Sequence, residues 1–478
     1  MRHLLAATAL AAFVSTCAHA AGPQLTAQHD AAHAMFEHII DTATVIGRHQ
    51  TPAMAQYVAD QFKAAGFPEA DIHVLPYHTS SATTGEDDTA ALIVRWRAAG
   101  TSMAKPIMLM GHMDVVEAKA EDWAGTDPFK MVEKDGYYYG RGTIDMKDGI
   151  TAITQAMINL RKAGFKPKRD IVVLFTGDEE TNGIGARNGA GQWIDLLGHP
   201  EFGLNADGGG ISFNTDKSPA GATMQTAEKT FAGYTLTVRN RGGHSSKPRK
   251  DNAIYSLAHA LDKIEAYRFT PMLSETTRAY FDGRQKLEKG PLGDAMRRWL
   301  ANPNDGEAAD LIEASESEVG LTRTRCVPTR LFAGHADNAL PQTAQATVNC
   351  RIFPGVDPKT VQAELQQLAG PKVEVTPDPN YIGVPTPPSP LRPDVLKAVT
   401  TAIQRFHGPE MHVFPMMSTG ASDGSFFRAQ GIPVYDVDGS WGISPDDERA
   451  HGLDERIPVR AMYDDVLHWE MIITALTG

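Results

Sequence analysis

The sequence predicts an α/β protein in which a three-layer αβα domain is interrupted by a ferredoxin-like α+β domain. Between about residues 28 and 220, helical and strand patterns alternate, and the strands are continuous apolar runs, as in a sheet covered on both faces. From about residue 230 the strands alternate apolar with polar residues instead, and the element order becomes βαββαβ. After a proline-rich stretch, helix and strand patterns resume to the C-terminus, so the first domain is expected to be discontinuous.

In the first segment, Ala91-Leu92-Ile93-Val94, Ile107-Met108-Leu109-Met110 and Ile171-Val172-Val173-Leu174-Phe175 have no polar face, which suits buried strands. Ile153, Met157 and Leu160, closed by Gly164, mark an amphipathic helix beginning just after Asp145. In the second segment, Phe231, Tyr234, Leu236 and Val238 predict a strand with one wet face, and Ile254, Leu257, Leu261 and Ile264 predict a helix. A hairpin of 325–334 and 343–353 turning through 337–341, a helix over about 358–368 and a strand near Val373-Glu374-Val375 complete the pattern. An acidic, helix-rich insertion occupies about 268–322, and 384–390 is the return linker. The expected boundaries are 21–225 with 385–478 for the first domain and 226–384 for the second.

At 478 residues and 42% hydrophobic composition the chain exceeds the usual size of one domain. Its net charge of −13, without a basic run, argues against a nucleic-acid partner. Arg2-His3, an apolar stretch over 4–14 and Ala18-His19-Ala20 form the pattern of a cleavable signal peptide covering 1–20, so a periplasmic or secreted protein beginning at Ala21 is expected. Lipidation at Cys17 is the alternative, opposed by Thr16 just before it. No later stretch approaches the ~20 apolar residues of a membrane span. Once the signal is removed, Cys326 and Cys350 are the remaining thiols; they either pair across the hairpin or stay unpaired in the core, in both cases structural rather than catalytic.

Five short motifs carry the chemistry. Gly111-His112-Met113-Asp114 follows an apolar strand, which puts an imidazole at the carboxyl edge of a sheet with Asp114 able to accept from its other nitrogen. Asp145 lies in a tight turn before a helix, where it would either cap the helix or bridge two cations. Asp178-Glu179-Glu180 ends a buried strand, and three successive acids repel one another unless something relieves them, which points to a site. Asp207-Gly208 and His451-Gly452 each add a ligand type beside glycine, and either alone reads as an ordinary turn. Together, nitrogen and oxygen donors without sulfur suit two divalent metals sharing a carboxylate, a combination that hydrolyses amide bonds.

In this order the motifs resemble the M20 family of dinuclear metallopeptidases and aminoacylases, over essentially the whole mature chain. The combination is specific where no single motif is. The resemblance implies a catalytic domain interrupted by a lid that often also dimerises, so a homodimer through the lid is expected. The lid would open with Arg241-Gly242-Gly243-His244-Ser245-Ser246-Lys247-Pro248. It implies one metal on His112 and Asp207, the other on Glu180 and His451, with Asp145 bridging and Asp114 orienting His112. Glu179 would take a proton from a water between the metals and pass it to the leaving amine. His244 would reach an active site, in dimeric relatives that of the opposite subunit, to hydrogen-bond the tetrahedral intermediate. Arg351 and Asn338 resemble the contacts to a substrate carboxylate, and Gly420 a residue of the substrate loop. The ligand types suit zinc, with Co²⁺ or Mn²⁺ fitting the same set. Asp148 departs from the glycine of many relatives, and the long insertion resembles the carboxypeptidase-S-like branch. The activity expected is that of an exopeptidase cleaving near a free C-terminal carboxylate. An N-acyl-amino-acid deacylase and a peptide-binding protein without turnover are the alternatives, and the intact Glu179 argues against the last.

Overall fold

Strands with no polar side need a helical layer on each face, and that demand organises the first domain. A computed structural model describes residues 23–81 and 85–478; the expected signal peptide and Cys17 lie outside the described residues. Strands Gly85–Trp96, Ile171–Thr176, Ile107–His112 and Phe202–Asn205 lie side by side in that order, inside a sheet that has ten strands among the described residues. Ile107–His112 pairs in parallel with both neighbours. Its side chains divide by parity, as a pleated strand requires. Ile107 and Leu109 join a cluster with Ile153 and Trp469, whereas Met108 and Met110 join Ala186 and Phe427 on the other face.

The first of these clusters buries helix Lys147–Lys162 against Val459–Thr477 and Pro23–Asp41, so the two ends of the described chain meet over one face of the sheet. Strand Val434–Asp436 also enters from the C-terminal segment, pairing in parallel with Phe202–Asn205. The first domain is therefore built from both sides of the interruption.

The interruption carries its own four-stranded antiparallel sheet, ordered Arg325–Ala333, Thr343–Ile352, Thr230–Arg239, Glu374–Ile382. Helices Ala253–Ala266 and Pro358–Ala369 cover it, with Tyr234, Leu236, Val348, Leu257 and Leu365 in the shared core. This is the ferredoxin-like order. Three details differ from the sequence pattern. Phe231 is out of step with Tyr234, Leu236 and Val238 and lies on the opposite face, where the Arg351 guanidinium covers its ring at 4.9 Å. Ile254 is 42% exposed, because Ala253 and Ala260 take the helix's buried face with Leu257 and Ile264. The expected hairpin forms, but its connection is not a free turn, since Ala339–Leu340 within it pairs with Gly243–His244.

Cys326 and Cys350 are directly opposite in register and form a disulfide. The insertion consists of helices Glu275–Leu287, Gly290–Ala301 and Gly306–Glu313, begun by capping side chains of Ser274 and Asp305 at the first and third. Its core of Phe281, Met296, Trp299 and Ile312 also takes in Phe353 from the small domain and Phe414 and Met417 from the large one, so the insertion packs across both. Among the described residues no helix is long and apolar enough to cross a membrane.

Candidate metal centre

The site forms where five motifs end strands or lie in turns at one edge of the large sheet. His112 is the last residue of its strand; Asp178, Glu179 and Glu180 follow the parallel neighbour, Ile171–Thr176, and Asp207 follows Phe202–Asn205. Gly177 has to be glycine, since a Cβ there would stand 2.6 Å from the Ala90 carbonyl oxygen. Asp145 precedes helix Lys147–Lys162, and its peptide bond to Met146 is cis. His451 arrives from the C-terminal segment at φ +60°, a left-handed turn uncommon for a residue with a side chain.

Asp145 stands at the middle of the cluster. Its Oδ1 is 3.1 Å from His112 Nε2, and its Oδ2 is 3.0 Å from His451 Nε2. Asp207 Oδ1 lies 3.5 Å from the same nitrogen of His112, and Glu180 Oε1 lies 3.0 Å from that of His451. Two sets of donors able to hold a metal ion result, His112 with Asp145 and Asp207, and Glu180 with Asp145 and His451. This is the partition that the motif resemblance implies. Glu179 stands against His112 and Glu180, in a third such grouping, and its carboxylate has no hydrogen-bond partner among the described residues.

The third acid of the run has a different task. Asp178 accepts from the Ile184 and Gly185 N–H groups at 2.8 and 2.9 Å and from the Tyr77 hydroxyl at 2.6 Å, so it builds the turn and faces away from the cluster. Asp114 also differs from expectation. Its carboxylate accepts the Glu179 and Glu180 N–H groups, both at 3.1 Å, which draws it 3.6 Å from His112 Nδ1. The Asp114 main-chain carbonyl, 2.9 Å from Nδ1, orients the imidazole instead. The sequence reading also passed over a tie between turns: Arg141 and Glu455, both buried, pair at 2.6 Å, and Glu455 accepts the Ile144 N–H at 3.0 Å. That joins the Asp145 turn to the His451 turn. Both residues lie within or near the recognised motifs, but no spacing rule pairs them.

The electrostatics show a site with surplus negative charge. Burial, then Asp207, raises Glu179 well above the usual carboxyl range, and Glu180 adds to the effect. Burial raises Asp207 to about 6, against the pull of His112. Hydrogen bonds that the His451 ring donates to Asp145 and Glu180 lift its pKa to about 10. Burial works against a charge on His112, yet Asp207 and Asp145 outweigh it and hold its pKa well above normal. Burial likewise opposes the charge on Asp145, and the two imidazoles overcome it. Protonated histidines thus stand in for cations among four clustered carboxylates, so this donor set fits two divalent ions.

The remaining sequence-predicted residues fall into two groups. Arg351 donates to the Thr419 carbonyl at 3.3 Å, beside Gly420, and the other end of that loop is tied to the cluster's strand by Thr176 donating to Asp423. His244 and Asn338 meet at the two-stranded pairing, where the Ser245 N–H donates to the Asn338 carbonyl at 3.0 Å. Both are exposed, and His244 Nδ1 lies 2.8 Å from the Ser246 hydroxyl rather than against the metal cluster.

Two donor sets sharing one carboxylate at the carboxyl edge of an αβα sheet define a dinuclear metallohydrolase. The chain belongs to peptidase family M20/M25/M40, whose family model matches residues 108–475. It is 30% identical over 375 residues to the Xenopus tropicalis protein named N-fatty-acyl-amino acid synthase/hydrolase PM20D1, covering 75% of this chain and 70% of the relative. It is also 30% identical over 388 residues to a probable carboxypeptidase S-like 2 of Dictyostelium discoideum, covering 77% and 71%. In fold it is similar to the M20 metallo-carboxypeptidase Sso-CP2 of Sulfolobus solfataricus, with TM-score 0.64, 16% identity and coverage of 92% and 98%. Human carnosine dipeptidase 1 gives TM-score 0.63 at 14% identity, covering 94% and 97%.

The raised histidine pKa values have a measurable consequence. At pH 7 the metal-free protein holds a proton on His451, whose folded pKa of about 10 exceeds the ordinary 6.5. Metal ligation requires the neutral ring, so binding must release that proton and weaken as pH falls. Calorimetry of zinc binding at pH 7 in buffers of different ionisation enthalpy is expected to show net proton release; equal heats in all buffers would contradict the assignment.

Proposed function

We propose that this M20 metallohydrolase cleaves the final amide bond of a short peptide, releasing an amino acid with a free α-carboxylate. The carrying observation is Glu179, a carboxylate with a raised pKa and no hydrogen-bond partner among the described residues, beside two donor sets that are complete without it. Two divalent cations, held by His112, Asp145 and Asp207 and by Asp145, Glu180 and His451, would supply Lewis acidity toward water and the scissile carbonyl. Zinc suits these donors, and Co²⁺ or Mn²⁺ would fit as well. Glu179 takes the proton of the attacking water and returns it to the leaving nitrogen. Arg351, braced by Thr419 and the Phe231 ring, offers its planar fork to the substrate carboxylate, and Gly420 stands beside it on the loop that runs back to the cluster. Asn338 and His244 line the tip of the small domain, which serves as the lid.

A second reading, an N-acyl-amino-acid hydrolase, rests on the similarity to the PM20D1 protein and keeps every one of these roles. The two differ in what lies on the acyl side of the bond. A panel of dipeptides, longer peptides and N-acyl amino acids, assayed after chelation and zinc restoration, separates them. In that assay Glu179→Gln is expected to lower kcat by roughly 10²- to 10⁴-fold with both metals retained. Arg351→Ala is expected to raise KM for substrates with a free carboxylate more than for their amides. Full turnover by Glu179→Gln would remove its role.

His244 is exposed and turned to Ser246, so we propose that it serves the active site of a second copy, through a dimer of lids. Strand Arg325–Ala333 lies at the edge of its sheet with Val327, Leu331 and Phe332 exposed, a surface suited to self-association. Light scattering is expected to report a dimer that Leu331→Arg dissociates; a monomeric wild type would end this reading. We also propose export. The Cys326–Cys350 disulfide supports an oxidising compartment. Intact mass of the protein recovered from its native cells is expected to begin at Ala21, and a retained Met1 would contradict it.

A further inference from the structure

A cavity of about 320 Å³ borders Glu180 and Asp114 and is lined by large-domain residues alone. Its far wall comes from strands Ile72–Ser81 and Gly85–Trp96, which contribute Thr79 and Asp87. The sheet order explains what it faces. These two strands occupy one end of the large sheet, the strands bearing His112 and Glu180 follow, and Pro219–Glu228, which leads into the lid, lies beyond them. In strand order the metal-site residues therefore fall between the cavity wall and the strand that leads into the small domain bearing Arg351. A substrate whose carboxylate is on Arg351 and whose scissile bond is at the cluster extends its acyl side into this cavity.

The cavity's chemistry is specific. Val45, Ile46 and Val115 give it an apolar side. On the wall, Thr79 and Asp87 are cross-strand partners, 2% and 3% exposed. The Thr79 hydroxyl has no hydrogen-bond partner among the described residues, a state that is costly for a buried polar group. Asp87 Oδ2 accepts the Gly47 N–H at 2.8 Å and the His49 N–H at 3.4 Å, and the exposed His49 ring lies against Oδ1, which together take three of its acceptor positions. A carboxylate has about four acceptor positions, so Asp87 retains capacity toward the cavity. Among the described residues no basic side chain other than the exposed His49 ring reaches Asp87, and no Lys or Arg lines the cavity, so the unpartnered Thr79 hydroxyl and the remaining acceptor position of Asp87 suit a cationic donor brought by a ligand.

We infer that this cavity is the acyl-side subsite and that Asp87 and Thr79 select a primary ammonium there, as in a dipeptide with a free N-terminus. The inference rests on the exopeptidase reading and narrows it: ammonium at Asp87, carboxylate at Arg351 and the reacting carbonyl between them describe a substrate short at both ends.

The test compares kcat/KM of the zinc-loaded protein for Ala-Phe, N-acetyl-Ala-Phe and Nα-acetyl-Lys-Phe, in the wild type and in Asp87→Asn and Thr79→Val. Asp87→Asn keeps an acceptor for the Gly47 and His49 N–H groups, and Thr79→Val gives up a hydroxyl with no bond to lose; circular dichroism confirms folding of both. The wild type is expected to prefer the free amine, and Asp87→Asn to reduce that preference about 10- to 100-fold, as for loss of a hydrogen bond to a charged group. A preference for Nα-acetyl-Lys-Phe over N-acetyl-Ala-Phe that Asp87→Asn removes also supports an ammonium site, with the side chain as its source. A wild-type preference for N-acetyl-Ala-Phe, or unchanged ratios in both folded variants, overturns it. If the wild type cleaves none of the three, the exopeptidase reading fails and calorimetric binding of the same compounds judges the cavity. Tighter binding of the amine, lost in Asp87→Asn, supports the subsite; equal binding refutes it.

Discussion

The Asp145 carboxylate is the constraint on which the rest of the structure depends. One of its oxygens faces His112 and the other faces His451, residues from opposite ends of the interrupted domain. For both contacts to exist, the chain must leave the large sheet, build the small domain and return to the same edge. The Arg141–Glu455 pair then fixes the two turns against each other without entering the site. Asp178 and the Asp114 carboxylate do similar work around the acidic turn, taking up main-chain N–H groups so that Glu179 and Glu180 face the cluster.

Gathering carboxylates at a buried edge is unfavourable unless positive charge accompanies them. The raised pKa of Glu179 and Asp207 and the protonated state of His451 are two expressions of that imbalance. It explains why the same residues that strain a metal-free protein make a strong cation site. It also sets Glu179 apart from its neighbours, because the two groupings that share Asp145 do not include it.

The junction between domains has its own logic. Lys229, where the chain passes from one sheet to the other, is buried and donates to the Arg323 carbonyl at 2.6 Å, while its N–H bonds to Ser418 at 3.0 Å. The insertion core adds Phe414 and Met417 from the large domain and Phe353 from the small one. The added helices thus brace the two domains near the loop that carries Thr419 and Gly420, which ties a feature without evident chemistry to the placement of Arg351.

Much of this was legible in the sequence because it is local. Apolar runs announce strands buried on both faces, and donor residues at strand ends announce the metal site. The readings that failed depended on neighbours. Phe231, an odd number of residues from Tyr234, faces Arg351 on the open side, Ile254 yielded the helix core to alanines, and the connection through 337–341 was recruited by Gly243–His244. The Asp114 carboxylate moved from His112 to the Glu179 and Glu180 N–H groups, a choice between two acceptors of similar reach that only the packed turn settles. By itself the sequence determined the two kinds of sheet, the order of the motifs and the candidate donor residues, since periodicity and donor chemistry are written in single side chains. Tertiary structure decided which oxygen of Asp145 faces which histidine, which two of three adjacent acids face the cluster, and that Asp87 and Thr79 share a cavity with Glu180, because each is a relation between segments that meet only when the sheet is assembled.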